Sequence, residues 1–134
     1  MDMKKSVLLN SVLSSVISEM GHTDMLTIAD CGLPIGGGVK RIDLALKFGV
    51  PGFLETLETV LTELCVESAL LAEEIKTACP EMNSRILAVL GEKITVSYVS
   101  HEEFKKITRD SKAVVRTGES TPYSNIILIS GVTF

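Results

Sequence analysis

Short apolar runs alternate along this chain with segments whose apolar residues recur at helical spacing, and that alternation most restricts what it can fold into. Met25 to Ala29 reads as a buried strand closed by Asp30, and Ile42, Leu44 and Leu46 alternate as a second. Ile94 to Val99, Ala113 to Arg116 and Ile126 to Ile129 supply three more. Between them, Val12, Leu13, Val16, Ile17 and Met20 share a helix face, with Gly21 placed to end that helix. Phe53, Leu54, Leu57, Val60, Leu61 and Leu64 line another, largely opposite Glu55, Glu58 and Glu63. Pro80 opens a helix carrying Ile86, Leu87 and Leu90, and Ser100 with Glu103 forms a capping box for one running through Ile107. Val66 to Ala72 reads both ways: its aliphatic content permits a strand, while Ala72-Glu73-Glu74-Ile75-Lys76 pulls towards helix.

Strands alternating with helices predict a three-layer α/β/α domain around a mixed, mostly parallel sheet, with residues 1–134 forming one domain. The last two strands are joined by a segment too short for a helical crossover, so an antiparallel C-terminal edge pair is expected. Gly32 to Lys40, with a proline and three consecutive glycines, is a loop; it lacks the Gly-Lys-Ser/Thr ending of a phosphate loop.

Several function classes fall away on composition. A net charge of −4 without a basic cluster argues against nucleic acid and anionic lipid as partners. No apolar run has the length of a membrane span, and the stretch after Lys4 and Lys5 is too polar for a signal peptide. Cys31, Cys65 and Cys79 cannot all pair, and with two histidines they offer no zinc spacing. Reduced thiols and a cytoplasmic location are expected. The chain is 46% hydrophobic yet only 4% aromatic. Such an aliphatic surplus in a small chain suggests apolar surface covered by other subunits.

The polar specialists sit at element boundaries. In open α/β sheets, functional groups gather beyond the carboxyl ends of the strands. Asp30 ends one predicted strand and His101 follows another. If the strand at Ala113 runs the same way, the loop from Gly118 to Asn125 brings Tyr123, Ser124 and Asn125 to that edge. Each has an ordinary structural explanation too: Asp30 and the Tyr123–Asn125 segment in turns, His101 as an exposed helix start. His22, in Gly21-His22-Thr23-Asp24, precedes the strand that Asp30 ends, and some six extended residues span roughly 20 Å. Either its loop folds back or His22 reaches the site of a neighbouring subunit, and the second reading also accounts for the aliphatic surplus.

The order Leu9-Asn10-Ser11, Gly21-His22-Thr23-Asp24, Asp30-Cys31-Gly32-Leu33-Pro34-Ile35, Arg41-Ile42-Asp43 and Gly49-Val50-Pro51 resembles the D-ribose pyranase (ribose mutarotase) family. The likeness continues through Ala72-Glu73-Glu74-Ile75-Lys76, His101-Glu102-Glu103-Phe104-Lys105 and Arg116-Thr117-Gly118-Glu119. It ends with Pro122-Tyr123-Ser124-Asn125 and Gly131-Val132-Thr133-Phe134. It covers essentially the whole chain. It implies an isomerase that interconverts the pyranose and furanose forms of β-D-ribose without metal or cofactor. His22 would be the proton donor, and Asp30, His101, Tyr123, Ser124 and Asn125 would bind the sugar. It also implies ring-shaped homo-oligomers, commonly decamers of two pentamers. A fucose mutarotase, or a sugar-binding subunit without catalysis, are the alternatives; Gly32-Leu33-Pro34-Ile35 after the aspartate favours ribose.

Overall fold

The structure, a computed structural model, describes residues 3–134. Its elements are α1 (Ser11–Glu19), β1 (Met25–Ala29), β2 (Lys40–Asp43), α2 (Phe53–Leu61), β3 (Val66–Ala72), α3 (Ile75–Ala78), α4 (Pro80–Leu90), β4 (Thr95–Val99), α5 (His101–Ile107), β5 (Ala113–Arg116) and β6 (Ile126–Ser130). Local chemistry starts the helices where the sequence places them. Asn10 accepts the Leu13 N–H at 2.9 Å, the Glu55 carboxylate takes the Gly52 N–H at 2.7 Å, and the Ser100 hydroxyl takes the Glu103 N–H at 3.2 Å. The ambiguous segment at Val66 is a strand, because β3 has neighbours on both sides to pair with. Only Ile75–Ala78 of the following stretch is helical.

Six strands form one sheet in the order β2-β5-β1-β6-β3-β4. β1, β2 and β5 are parallel, β3 and β4 are parallel, and β6 is antiparallel to both β1 and β3. Every strand except β6 therefore points the same way. Alternation along the strands loads both faces. Leu26, Ile28, Val115 and Leu128 meet Leu13, Phe53, Leu57, Ile75 and Ile86 from α1 to α4 on one face. Ala29, Val114 and Ile127 meet Leu33 and Phe104 on the other. These are the three layers the alternation requires, and each large side chain fully enclosed between them contributes about 1.5–3 kcal/mol.

The expected C-terminal edge pair does not form. β5 lies between β2 and β1, and β6 occupies the sheet interior between β1 and β3. Two things override the short-connection argument. Thr117 gives both its N–H (3.0 Å) and its hydroxyl (2.7 Å) to the Ala29 carbonyl, which carries the chain over the end of β1 rather than back beside β5. Moreover, Ile126, Ile127 and Leu128 are apolar on successive positions and fully buried, a pattern that needs cover on both faces and so a central place. A second correction concerns β2, which begins at Lys40 and stops at Asp43 instead of reaching Leu46. The Leu44 N–H turns to the Arg116 carbonyl at 2.9 Å, and a tight turn through Gly49 (φ 84°) leaves Leu46 78% exposed. No helix among the described residues is long and apolar enough to cross a membrane.

Candidate active site

The sheet directions bring the carboxyl ends of β1, β3, β4 and β5 and the start of β6 to one edge. Asp30, immediately after β1, is held there from several sides. Its N–H donates to Asn125 Oδ1 at 2.8 Å, while Asn125 Nδ2 donates to Asp30 Oδ2 at 3.1 Å and the Gly32 N–H to Oδ1 at 3.0 Å. Burial raises the Asp30 pKa above its ordinary value, against the opposing pull of the Gly32 N–H, the Asn125 amide, the Leu33 N–H and nearby His101. A partly desolvated carboxylate with fixed neighbours is poised to hold hydroxyl groups.

His101 is the first residue of α5. The Glu74 carboxylate grips its backbone N–H at 3.0 and 3.1 Å through its two oxygens, which fixes the helix start. The imidazole stacks on Phe104 at 6.5 Å and meets the Tyr123 ring edge-on, with centroids 5.1 Å apart and an interplanar angle of 86°. Its Nδ1 is buried without a hydrogen-bond partner among the described residues. Tyr123 reaches this contact from a left-handed backbone conformation (φ 63°), which costs a non-glycine residue about 1–3 kcal/mol. Asp30, Gly32, Leu33, Pro34, His101, Pro122 and Tyr123 enclose a cavity of about 230 Å³. That is below the roughly 300–1,000 Å³ of sites for drug-sized ligands and of the right order for a monosaccharide. Larger clefts lie beside Cys79, Pro80 and Arg85 and beside Leu46, Phe48 and Arg116. Neither joins a carboxylate, an imidazole and a phenol.

Of the other expected site residues, Ser124 and Asn125 are wholly enclosed and do not line the cavity. Both ends of the Asn125 side chain are spent on Asp30, and the Ser124 hydroxyl is buried without a hydrogen-bond partner among the described residues. His22 stands at the opposite edge of the sheet, ahead of β1, with its Nε2 2.5 Å from Glu67 Oε1 near the start of β3.

Two carboxylates that were not among the expected site residues support the site. Glu74 sets His101, and it lies in a segment whose secondary structure was itself ambiguous. Glu119 knits the loop that bears Tyr123 to its surroundings. It accepts the Phe53 N–H at 3.0 Å and the Thr121 hydroxyl at 2.8 Å, while its carbonyl takes the Cys31 N–H at 2.8 Å. Its motif offered a signal in Gly118, whose added Cβ would fall 2.4 Å from the Lys47 carbonyl and 2.5 Å from that of Val50. Only glycine permits that approach. No group of three or more His, Cys, Asp or Glu side chains among the described residues converges as a metal site would.

Fold and cavity together define a small α/β protein with a polar cavity lined by a carboxylate, an imidazole and a phenol. Residues 3–133 match the RbsD / FucU transport protein family. The chain belongs to that family. It is 58% identical to the D-ribose pyranase of Clostridium perfringens (strain SM101 / Type A) over 132 residues, 98% of this chain and all of that protein. The structure of Bacillus subtilis RbsD complexed with D-ribose superposes with a TM-score of 0.94 at 47% identity, covering 98% of this chain and 100% of that one. The fucose mutarotase of Streptococcus pneumoniae, solved with L-fucose, is more distant, with a TM-score of 0.78 at 25% identity over 94% of each chain.

Proposed function

We infer that this protein is an isomerase interconverting the pyranose and furanose forms of β-D-ribose. The observation that carries the reading is the cavity where Asp30, His101 and Tyr123 converge, in a chain so similar over its full length to a D-ribose pyranase and to a ribose-bound relative. The much lower identity to the fucose enzyme favours ribose over fucose.

Ring interconversion needs one proton given and one taken. As the bond between C1 and the ring oxygen breaks, that oxygen gains a proton; the anomeric hydroxyl loses one and its electrons form the C1 carbonyl. The open aldehyde then recloses through the other hydroxyl by the reverse transfers. An imidazole titrating near neutrality serves both directions. In this reading His22 is the donor, and Asp30 and His101 are the titratable groups in the cavity available to receive the anomeric proton. Tyr123 orients sugar hydroxyls and Asn125 fixes Asp30. Because the reaction proceeds unaided, positioning with modest acid–base help is sufficient.

His22 and Asp30 flank β1, a strand length of roughly 20 Å apart. A complete site therefore pairs the cavity of one copy with His22 of another. Exposed Leu9, Leu46, Phe48 and Phe134 supply apolar surface for such an assembly, and the family resemblance suggests a decamer of two pentameric rings. The reading places the protein in the cytoplasm, without metal or cofactor. NMR exchange between ribose pyranose and furanose signals tests it, with wild type and His22→Ala in parallel. Wild type accelerates exchange and the variant loses the acceleration. Ribose binding with unaltered exchange would make the protein a sugar-binding module instead.

A further inference from the structure

His22 is presented by a turn whose other three residues, Gly21, Thr23 and Asp24, are each tied by hydrogen bonds. The Gly21 N–H donates to Asp24 Oδ2 at 2.8 Å, and the Asp24 N–H to the Gly21 carbonyl at 3.1 Å. The Thr23 N–H reaches the Ser130 carbonyl at 2.9 Å, and the Ser130 N–H returns to the Asp24 carbonyl at the same distance. Thr23 itself is held at φ 71°, a conformation that β-branched residues rarely adopt. With its neighbours held, the direction of the His22 imidazole is set by its side-chain torsions. Those are taken by one contact, Nε2 to Glu67 Oε1 at 2.5 Å, and Nδ1 has no hydrogen-bond partner among the described residues.

We propose that Glu67 is a positioning residue for the proton donor: it fixes the imidazole of His22 through Nε2 and leaves Nδ1 as the atom that exchanges the proton with the sugar. The proposal rests on the reading of His22 as donor and adds the element that orients it. A carboxylate on the far nitrogen sets the ring orientation and tautomer and offsets the charge of the doubly protonated ring. Stability does not explain the pair. Both side chains are about half exposed, at 53% and 47%, and ion pairs so placed contribute little to folding. Gly131 supports the arrangement, since a Cβ there would press to 3.2 Å of the Glu67 Cβ.

The test compares Glu67→Ala, Glu67→Gln, His22→Ala and the double variant Glu67→Ala/His22→Ala by ribose exchange NMR across sugar concentrations. A positioned general acid is worth about 10²–10⁴-fold and its orientation part of that, so Glu67→Ala should lower kcat about tenfold. KM should change less than about twofold, because the sugar-binding groups lie on the other edge. Glu67→Gln keeps an acceptor without the charge and recovers part of the loss. The double variant falls no further than His22→Ala alone, since Glu67 has nothing left to orient. The ring N–H proton of His22 should be visible in 15N-edited spectra of wild type and absent from Glu67→Ala. His101 is the only other imidazole, so His101→Asn settles the assignment. Unchanged kcat in Glu67→Ala beside an inactive His22→Ala overturns the role of Glu67 and leaves His22 as donor. Full activity in His22→Ala overturns both. Loss of the melting transition in Glu67→Ala with no recovery in Glu67→Gln would make the contact structural and also overturn the proposal.

Discussion

The amide of Asn125 holds Asp30 by both its ends, so Asn125→Asp is the substitution that most directly probes the cavity. The Asp30 N–H can only donate, so Oδ1 of Asn125 must face it and Nδ2 is set against Asp30 Oδ2 at 3.1 Å. The variant has the same shape and places a second carboxylate oxygen where that donor was, in a residue that is fully enclosed. Two like charges about 4 Å apart repel by about 4 kcal/mol at an effective dielectric of about 20. The pair can escape by retaining a proton. At pH 7 that costs a carboxyl of ordinary pKa near 3.9 about 4 kcal/mol, at 1.36 kcal/mol for each pH unit. Both routes lead to the same figure, so the variant should lose about 4 kcal/mol at neutral pH.

The pH dependence separates this account from a packing defect. Burial already raises the pKa of Asp30, and a second carboxyl beside it raises the value for the pair further. The folded variant then binds more protons than the unfolded chain, so its stability falls as pH rises from the ordinary carboxyl range towards neutrality. The deficit against wild type should shrink to about 1.5 kcal/mol at pH 5. Urea denaturation at both pH values and one fixed protein concentration measures it. A deficit equal at pH 5 and pH 7, or none at pH 7, would falsify the assignment of Asn125 as the residue that clamps Asp30.

Further substitutions probe the loop and the cavity. Burial pushes Glu119 up, but the N–H groups of Phe53, Thr121 and Ser120 and the Thr121 hydroxyl together hold its pKa below the ordinary 4.5. Its stabilisation is therefore present above pH 4.5 and lost as pH falls through the depressed folded value; Glu119→Gln should cost about 1–2 kcal/mol at pH 7, with the gap closing in acid when followed by thermal melting. Gly118→Ala drives a Cβ into two carbonyls and should cost about 3 kcal/mol or more by denaturant titration; a near-neutral result would mean the 47–50 turn moves freely. Tyr123→Phe keeps the edge contact with His101 but removes the phenol, so KM for ribose should rise about tenfold in exchange NMR with stability little changed. Mixed His22→Ala and Asp30→Ala proteins, reassembled together, should regain part of the wild-type exchange rate; mixtures that stay inactive would place both residues in one subunit's site.

The fold was legible wherever periodicity and caps agreed. The strand ended by Asp30 and the helix opened by Ser100 stand within a residue of where the pattern puts them, and α2 starts at Phe53 as expected but ends at Leu61, three residues before Leu64. Sheet order was not legible, because it depends on what a connection passes over. The two bonds from Thr117 to the Ala29 carbonyl decide the path of the last loop, and a threonine in a polar loop announces nothing of the kind. Even so, the triple apolar run at Ile126 carried usable information: an edge strand with no polar face would have left one side unprotected. The convergence of Asp30, His101 and Tyr123 survived the error in strand order because it depended only on direction. Direction was correct for β1, β4 and β5.

The proposed assembly links the position of the cavity to the composition of the chain. One edge of the sheet carries Asp30, His101 and Tyr123, and the other carries His22 and Glu67. If His22 is the donor, as proposed, a second copy must present it, and such an assembly would cover apolar surface that a lone domain leaves in water. Phe48 is 82% exposed and Leu46 78% on the turn beyond β2, at the cavity edge, while Phe134 lies fully open beyond β6, towards the His22 edge. Exposed apolar groups thus lie at both edges of the sheet. In this reading the aliphatic surplus and the separation of the histidines have one cause, the sharing of a sugar between two copies.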